Sequence, residues 1–396
     1  MTELRGSWRP ALVALRRILA AQLAAKPGDP AFSDADGTLS RAELWRLVRL
    51  RSAAPAGPVV VVSSPQPRTV VVDALAGWLA GRTVLVVPPR AGERVLRAAR
   101  ETAPCGAGVF FATSGTTGAA RVVRSRRGPR ALAQLAAPIG ILPLSRRPVV
   151  AGLAPVDHGH GFTAALATWA LGGHFIALGP DPLRQLADLP RVDLLTGVPE
   201  QLHRLAAAAD RPPTRIGAVL SGSDRLRDAD RLAVALAAPV YDAYGTTETG
   251  TVSLATPADR ASSPGTVGRP LPGVRVRERD GRLDVRSAVL GRGSLTADHG
   301  FLRDGLVHVS GRVDGVRVSG GENTFPPAVR DWLAARPGVT EVVLEERPDI
   351  RFGSRTVARV VTTEPLDATA LREAVRAEFG HAATPAAIII DPVDAF

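Results

Sequence analysis

Short apolar runs alternate with amphipathic stretches along most of the first 255 residues. Residues 58–64, 83–89 and 108–114 are continuous runs rich in valine and phenylalanine, and the helical patterns of residues 70–80 and 91–102 separate them. Continuous apolar strands are typical of parallel sheets covered on both faces by helices, because neither face then meets water. The alternation resumes downstream, with strands predicted at 148–155, 174–180, 192–199, 216–223 and 239–245 and helices at 161–171, 182–187, 200–209 and 225–236. The pattern predicts an α/β domain.

The pattern changes after residue 255. Glycine and proline turns separate short strands over residues 274–287, which predicts a small antiparallel subdomain at about 256–312. Two helical patterns among short strands then predict a small α+β unit. The sequence therefore predicts a large N-terminal domain, 1–312, of parallel-type sheets covered by helices plus the antiparallel subdomain, followed by a small mobile C-terminal domain, 313–396.

Composition excludes several classes of protein. Cys105 is the only cysteine, so no intramolecular disulfide can form, which fits a reducing cytoplasm. No apolar stretch approaches the ~20 residues that cross a bilayer, and the N-terminal residues lack the apolar core of a secretory signal. We therefore expect a cytoplasmic protein without a membrane partner.

The net charge of +11 would suit a nucleic-acid partner. The arginines, however, are scattered along the chain, aromatic residues make up 4% of it, and Lys26 is the only lysine. This replacement of lysine by arginine is typical of a base-composition bias in the genome. We expect no specific nucleic-acid partner, since no clustered basic helix or nucleic-acid-binding motif is present.

The first candidate site is a run of threonine, serine and glycine that directly follows an apolar strand. The two glycines permit backbone shapes that turn several N–H groups and hydroxyls toward one anion, and Arg121 adds positive charge. A mononucleotide P-loop requires Gly-Lys followed by serine or threonine, whereas two alanines follow Gly118. Taken alone, the run would equally suit a polar surface turn. Its residues are Thr113, Ser114, Gly115, Thr116, Thr117 and Gly118.

A second polar loop, Tyr-Gly-Thr-Thr-Glu at 244–248, comes at the end of a predicted strand. Loops in this position of an α/β sheet form ligand crevices. Two later segments add an acidic residue, Asp298, which suits the hydroxyls of a ribose, and a cationic residue, Arg312. Together with the first loop, this set predicts a site for a nucleoside triphosphate.

In these motifs and their order the chain resembles the adenylate-forming superfamily, which includes acyl-CoA synthetases, adenylation domains of peptide synthetases, and luciferases. The segment Ser-Gly-Gly-Glu-Asn at 319–323 is more similar to the acyl-CoA synthetase branch. The resemblance implies ATP and Mg²⁺ as cofactors. It implies these contacts: residues Thr113 to Gly118 with Arg121 for the β- and γ-phosphates, Tyr244 and Gly245 for the adenine, Thr246 for the α-phosphate, Glu248 for the metal, and Asp298 and Arg312 for the ribose.

The resemblance also implies sites for a carboxylic acid and a thiol. His158 matches the family's histidine beside the acyl pocket and is, with Thr246 and Glu248, a candidate catalytic residue, whereas the roles of Asp157 and His160 stay open. The acceptor would be CoA or the phosphopantetheine of an acyl carrier protein. The remaining implied residues are Gly222, Ser223 and Asp224 along the adenine and acyl pocket, Asp314 at the hinge of the C-terminal domain, and Gly320 and Gly321 in the thiol channel.

The family uses a C-terminal lysine preceded by glycine, and this sequence stops at Phe396 before the matching segment. The chain thus resembles a short form, and three readings stay open: a chain trimmed before the lysine, an enzyme of the thioester half-reaction alone, and a catalytically impaired nucleotide-binding or scaffold relative. We predict an AMP-forming acid–thiol ligase that activates a small carboxylic acid. A phosphotransferase, which would release ADP, is the rival enzyme class.

Overall fold

Strands form five sheets in the part of the chain that the computed structural model describes. Two of these sheets are mainly parallel, two are antiparallel, and the sheet of β20, β21 and β22 is mixed. The described residues are 9–54, 56–89, 91–101, 108–113, 121–122, 134, 136–246, 248–290, 293–313, 317–319, 322–324, 326–349, 353–381 and 383–393.

Helices and strands alternate up to residue 255, as the apolar pattern predicts. None of the described helices has the length and apolar character needed to cross a bilayer. The helices are α1 Arg9–Ala24, α2 Arg41–Ala53, α3 Pro67–Leu79, α4 Glu93–Glu101, α5 Gly159–Ala170, α6 Pro182–Ala187, α7 Pro199–Ala207, α8 Ala229–Ala235, α9 Pro257–Ser262, α10 Pro326–Ala334 and α11 Ala368–Phe379. The strands are β1 Pro30–Asp34, β2 Gly37–Ser40, β3 Val59–Val62, β4 Thr83–Val86, β5 Gly108–Thr113, β6 Arg121–Val122, β7 Val149–Gly152, β8 His174–Ala177, β9 Arg191–Gly197, β10 Arg215–Gly222, β11 Val240–Thr246, β12 Gly250–Ala255, β13 Arg269–Pro270, β14 Arg275–Arg279, β15 Arg282–Arg286, β16 Leu295–Arg303, β17 Leu306–Arg312, β18 Arg317–Ser319, β19 Glu322–Thr324, β20 Val339–Asp349, β21 Gly353–Thr362 and β22 Ile388–Pro392.

The largest sheet has the strand order β13-β12-β11-β10-β9-β7-β8-β1-β2. Neighbours from β11 to β1 run parallel, and the outer strands β13, β12 and β2 pair antiparallel. In β9 every residue after Arg191 is buried, as expected for a strand with helices on both faces. The carboxyl ends of β9, β10 and β11 lie side by side at one edge of this sheet, which is where parallel sheets form ligand crevices.

The second parallel sheet has the order β3-β4-β5-β6 and leads into the threonine-rich segment. Helix α3 packs closely on it, because a Cβ on Gly77 would lie 2.6 Å from Cγ2 of Val84. One apolar cluster joins the two parallel sheets and includes Phe32, Trp78 and Trp169. Phe111 of β5 belongs to this core and packs on Phe162 of α5, with 5.7 Å between the ring centres.

Strands β14 to β17 form an antiparallel sheet, as the glycine and proline turns predict. Two local expectations need correction. The helix predicted at 225–236 begins only at Ala229, because Asp228 adopts a left-handed backbone with φ of 54°. The N-terminal segment also contributes α1, α2 and the hairpin β1–β2, none of which the sequence patterns identified.

The C-terminal unit contacts the N-terminal part through α4 and α11. The guanidinium of Arg94 lies 5.2 Å from the centre of the Phe379 ring, and Arg97 approaches Glu378 at 3.8 Å. Gly92, just before α4, touches the backbone at the end of α11: a Cβ there would lie 2.4 Å from both the Glu378 oxygen and the Gly380 nitrogen. The two parts therefore meet backbone to backbone at this point.

Candidate active site

The central cluster of the site joins Tyr244, Asp298 and Arg312. The Tyr244 hydroxyl donates to Oδ2 of Asp298 at 2.6 Å, and Nη1 of Arg312 lies 3.5 Å from Oδ1 of the same carboxylate. The strand register places Asp298 of β16 opposite Arg312 of β17. Burial, and then the charge of Asp298, raise the pKa of Tyr244, so its hydroxyl stays protonated and donates.

The antiparallel sheet is distorted around this carboxylate. Register shifts lie between His299 and Gly300 on β16 and between Leu283 and Asp284 on the neighbouring β15. Bulges change the direction in which side chains point. Asp298, beside this bulge, is 3% exposed. A carboxylate has about four acceptor positions, so a side chain such as Asp298 can accept from several donors at once.

The loop after β11 is held in a tight turn by threonines. The Thr246 backbone N–H donates to Oγ1 of Thr249 at 2.9 Å, and the Thr249 N–H donates to Oγ1 of Thr246 at 3.2 Å. Gly245 is required here, because a Cβ would lie 2.1 Å from the Gly250 oxygen. The turn leaves Glu248 partly buried.

Gln134 is a loop-fixing residue that the sequence motifs did not identify. Its side chain is 1% exposed, and its amide donates to the carbonyl oxygens of Thr249 and Thr251, each at 2.9 Å. Ser287 donates to the same Thr249 oxygen at 3.0 Å. Only an alignment of homologues could have linked Gln134 to a loop 115 residues away.

The histidine segment lies at the start of α5. His158 occupies the position just before the helix and approaches Asp157 with 3.8 Å between Nε2 and Oδ1. His160, whose role the sequence left open, is the more firmly held ring: Nε2 lies 2.7 Å from Oγ1 of Thr196, and Nδ1 lies 3.2 Å from Oγ of Ser223.

The tautomer of His160 follows from these contacts. The Thr196 hydroxyl donates its one hydrogen to the Leu220 oxygen at 3.1 Å, so Nε2–H of His160 is the donor to Thr196. Nδ1 then accepts from Ser223. Burial, with a smaller contribution from His158, lowers the pKa of His160 to about 4, so this ring is neutral at physiological pH.

Gly222 and Ser223, at the end of β10, lie between His160 and the end of β11. A Cβ on Gly222 would lie 3.2 Å from Cε1 of His160 and 3.3 Å from the Ala243 oxygen, so any side chain would crowd both. Ser223 adopts a positive φ of 69°, which aims its hydroxyl at His160. Asp224 instead accepts from the backbone N–H of Arg225 at 2.7 Å.

Asp242 is a buried carboxylate that the sequence analysis missed. It lies on β11 beside Ser221 of β10 and is 6% exposed. Burial raises its pKa to about 7, and the opposing charge of Arg260 limits that rise. Among the described residues, its Oδ1 has no hydrogen-bond partner. Ionisation of Asp242 near neutral pH is therefore costly.

We expect Asp242→Asn to stabilise the protein increasingly as pH rises from 4 to 7. A carboxyl whose folded pKa lies above its unfolded value binds more protons when folded, so the wild type loses stability across this window and the asparagine variant does not. The difference should reach about 2–4 kcal/mol by pH 8. Urea unfolding at several pH values measures it, with the exposed Asp280→Asn as control. A difference independent of pH would refute this assignment.

Several predicted site residues lie outside the described part of the chain. They are Ser114, Gly115, Thr116, Thr117, Gly118, Asp314, Gly320 and Gly321. The backbones of Thr113 and Arg121 are described, and these two residues pair across β5 and β6. The roles predicted for all of these residues, including the hinge and the thiol channel, stay predictions.

Comparison with known proteins gives one family match and several relatives. Residues 107–285 match the family model described as AMP-binding enzyme. The 4-chlorobenzoate–CoA ligase of Pseudomonas sp. (strain CBS-3) is 30% identical over 308 residues, which cover 67% of this chain and 58% of the relative. The 2-succinylbenzoate–CoA ligase of Lactococcus lactis is 28% identical over 192 residues, covering 43% and 42%. The chain spans about half the length of the curated relatives it matches.

Solved structures share the fold over nearly the whole chain. A double mutant of the o-succinylbenzoate CoA synthetase of Bacillus subtilis, bound to a product analogue, superposes with a TM-score of 0.80 at 19% identity, covering 94% of both chains. The same enzyme in complex with an acyl-adenylate gives 0.63 at the same coverage. Residues 107–285 therefore match the AMP-binding enzyme family, and the chain shares the fold of these synthetase structures over nearly its whole length.

Proposed function

We propose that this protein is an ATP-dependent acid–thiol ligase. A carboxylate attacks the α-phosphorus of ATP, pyrophosphate leaves, and a thiol then displaces AMP from the acyl-adenylate to give a thioester. The observation that carries the proposal is the Tyr244–Asp298–Arg312 cluster at the end of β11. Tyr244 lies within the segment that matches the AMP-binding family model, and Asp298 and Arg312 follow that segment. The names of the relatives, which are CoA ligases, support the same reaction.

The residues of the cluster suit the nucleoside. The Asp298 carboxylate would accept from the ribose hydroxyls, and Arg312, which approaches it at 3.5 Å, would help to hold that carboxylate in place. The Tyr244 ring, fixed by its own hydroxyl, offers a flat surface to the adenine. Thr246, at the start of the tight turn, would face the α-phosphate.

Glu248 would hold Mg²⁺, which offsets phosphate charge when bound. The described residues contain no group of three or more histidine, cysteine or acidic side chains arranged to hold a metal. The single carboxylate of Glu248 fits Mg²⁺, which keeps several waters and binds through one or two carboxylates plus the phosphates of its substrate. The threonine-rich segment with Arg121 would complete the phosphate contacts.

The part of the crevice formed by His158 and His160, at the start of α5, suits an uncharged acyl group. Both nitrogens of His160 are satisfied within the protein and its ring is neutral, so it presents no cation to a second carboxylate. Both acids in the relatives' names are aromatic; 4-chlorobenzoate has a single carboxylate and fits such a pocket, whereas 2-succinylbenzoate carries a second carboxylate that this pocket does not favour. We therefore propose a small aryl carboxylic acid as the substrate, with His158 beside its carboxylate.

CoA, or a carrier-borne phosphopantetheine, is the proposed acceptor. The Bacillus enzyme superposes better in its product-analogue complex than in its acyl-adenylate complex, although both cover the same share of this chain. This difference supports an arrangement of the C-terminal unit that belongs to thioester formation. In such an arrangement Asp314 would be the hinge, and Gly320 and Gly321 would line the thiol channel.

The test is product analysis with a panel of carboxylic acids, with and without CoA. AMP and pyrophosphate that depend on an acid support the ligase, and ADP would instead identify a phosphotransferase. ATP binding without AMP release from any acid, and without CoA consumption from supplied acyl-adenylates, would favour a scaffold protein. Thioester formation from acyl-adenylates alone would identify a thioester-only enzyme.

We expect Glu248→Gln to lower kcat/KM for Mg-ATP at least about tenfold, which corresponds to ~1.4 kcal/mol of transition-state stabilisation. The amide keeps the shape of the side chain and removes the charge that would bind the metal. Steady-state AMP release as a function of Mg²⁺ and ATP concentration measures the effect. Glu364→Gln, on an exposed glutamate of the C-terminal unit, is the control. Unchanged turnover would remove Glu248 from the site.

A further inference from the structure

Strands β14 and β15 form a hairpin whose outer face is almost entirely cationic. Its two-residue loop, Asp280 and Gly281, has φ values of 50° and 68°, the left-handed pair that closes a tight hairpin and determines its register. Apolar residues of both strands, such as Val276 and Val285, point into the core. The residues alternating with them are Arg275, Arg277 and Arg279 on β14 and Arg282, Asp284 and Arg286 on β15. We call the five arginines the arginine hairpin.

The register brings like charges opposite each other. Arg275 faces Arg286, and Arg279 faces Arg282, whereas Arg277 between them faces Asp284. Like charges directly opposed across two strands destabilise a sheet. Among the described residues, none of the five arginines has an ion-pair partner, although arginines elsewhere in the chain pair with acids, as Arg359 does with Asp391 at 2.8 Å. The fold alone does not benefit from this arrangement.

Protection of the sheet edge does not account for the arginine hairpin. Charged residues on an edge strand deter pairing with other chains, and β14 is such an edge. Strand β15, however, lies between β14 and β16, and it carries Arg282 and Arg286. Leu283 of β15 is the cross-strand neighbour of Asp298, which belongs to the Tyr244–Asp298–Arg312 cluster. Because Arg282 and Arg286 alternate with Leu283 along β15, they lie on the opposite face of the same sheet.

We propose that the arginine hairpin docks an acidic carrier protein that presents the acceptor thiol; the identity of this partner rests on the proposed function. Alternate residues of a strand lie ~7 Å apart. Acidic side chains four residues apart on a helix lie ~6 Å apart along its axis, so an acidic helix matches the spacing of the arginines. Guanidinium groups bind carboxylates through two parallel hydrogen bonds. Residues 275–286 contain no aromatic ring on which a nucleic-acid base could stack, which favours a protein partner.

The experiment compares three acceptors: CoA, pantetheine, and a phosphopantetheine-loaded bacterial acyl carrier protein. The variant Arg275→Thr/Arg277→Thr/Arg279→Thr should raise KM for the carrier protein at least tenfold and leave KM for pantetheine and CoA within twofold. The wild-type KM for the carrier should rise with salt, and that of the variant should not. The variant should also melt at a higher temperature, because threonine suits strands and two like-charge pairs are gone, against the loss of one opposite-charge pair, Arg277 with Asp284.

The control Arg191→Thr/Arg211→Thr/Arg215→Thr removes the same charge from exposed residues around the amino ends of β9 and β10. An equal effect of both variants would overturn the proposal, as would a wild type that acylates CoA but not the carrier. Titration of fluorescent carrier against both variants tests docking without turnover, so the inference is decided even if no acid releases AMP. Binding of a 20-nucleotide single strand that only the hairpin variant loses, with carrier titration unchanged, would identify a nucleic-acid partner instead.

Discussion

Asp298→Asn should reduce kcat/KM for ATP by about 100-fold or more. The carboxylate accepts from the Tyr244 hydroxyl at 2.6 Å and faces Arg312 at 3.5 Å, and all three groups are buried or largely so. The asparagine removes the charge that faces Arg312, and hydrogen bonds to charged groups typically contribute ~1.5–3 kcal/mol. The amide also loses the charge that would hold the ribose hydroxyls. Initial rates of AMP formation against ATP concentration measure this effect.

The control is Asp284→Asn, which removes a carboxylate from the outer face of the next strand of the same sheet. It should leave KM for ATP unchanged. Tyr244→Phe, which removes only the hydroxyl that donates to Asp298, should have a smaller effect than Asp298→Asn. If Asp298→Asn unfolds at the wild-type temperature and retains wild-type kcat/KM for ATP, Asp298 does not contact the nucleotide.

Gly92→Ala should slow transfer of the acyl group to the thiol at least tenfold and change formation of the acyl-adenylate little. The added Cβ would lie 2.4 Å from the Glu378 oxygen and the Gly380 nitrogen, closer than real Cβ contacts come. Both atoms belong to the backbone, so no side chain can rotate away and the end of α11 must move. The expectation rests on the proposed function, in which this arrangement of the C-terminal unit serves thioester formation.

Two single-turnover measurements separate the steps: AMP release from ATP and acid without thiol, and thioester formation from a supplied acyl-adenylate. Gly28→Ala is the matched control, because a Cβ there would have no heavy atom within 4 Å and Gly28 has no positive φ. Equal loss in both steps, or no loss in either, would contradict the role assigned to the α4–α11 contact.

Much of the architecture and part of the site could be predicted from the sequence. The apolar runs correctly predicted the parallel strands, since a strand buried on both faces has no polar alternation. The position of Tyr244 and Thr246 at the end of such a strand also indicated a ligand crevice. The Asp-Gly loop and the alternation around it even imply the register of the arginine hairpin, because a two-residue turn allows one pairing. These features are local and depend on neighbours along the chain.

The sequence by itself thus determined the fold class, the position of the candidate loops and the charge pattern of the hairpin. Only the tertiary structure decided that Asp298 meets a tyrosine 54 residues away, that His160 is neutral between Thr196 and Ser223, and that Asp242 is buried with a raised pKa. The physical reason is that burial and long-range hydrogen bonds depend on which elements pack around a side chain, and packing partners distant in sequence leave no periodic pattern in one chain.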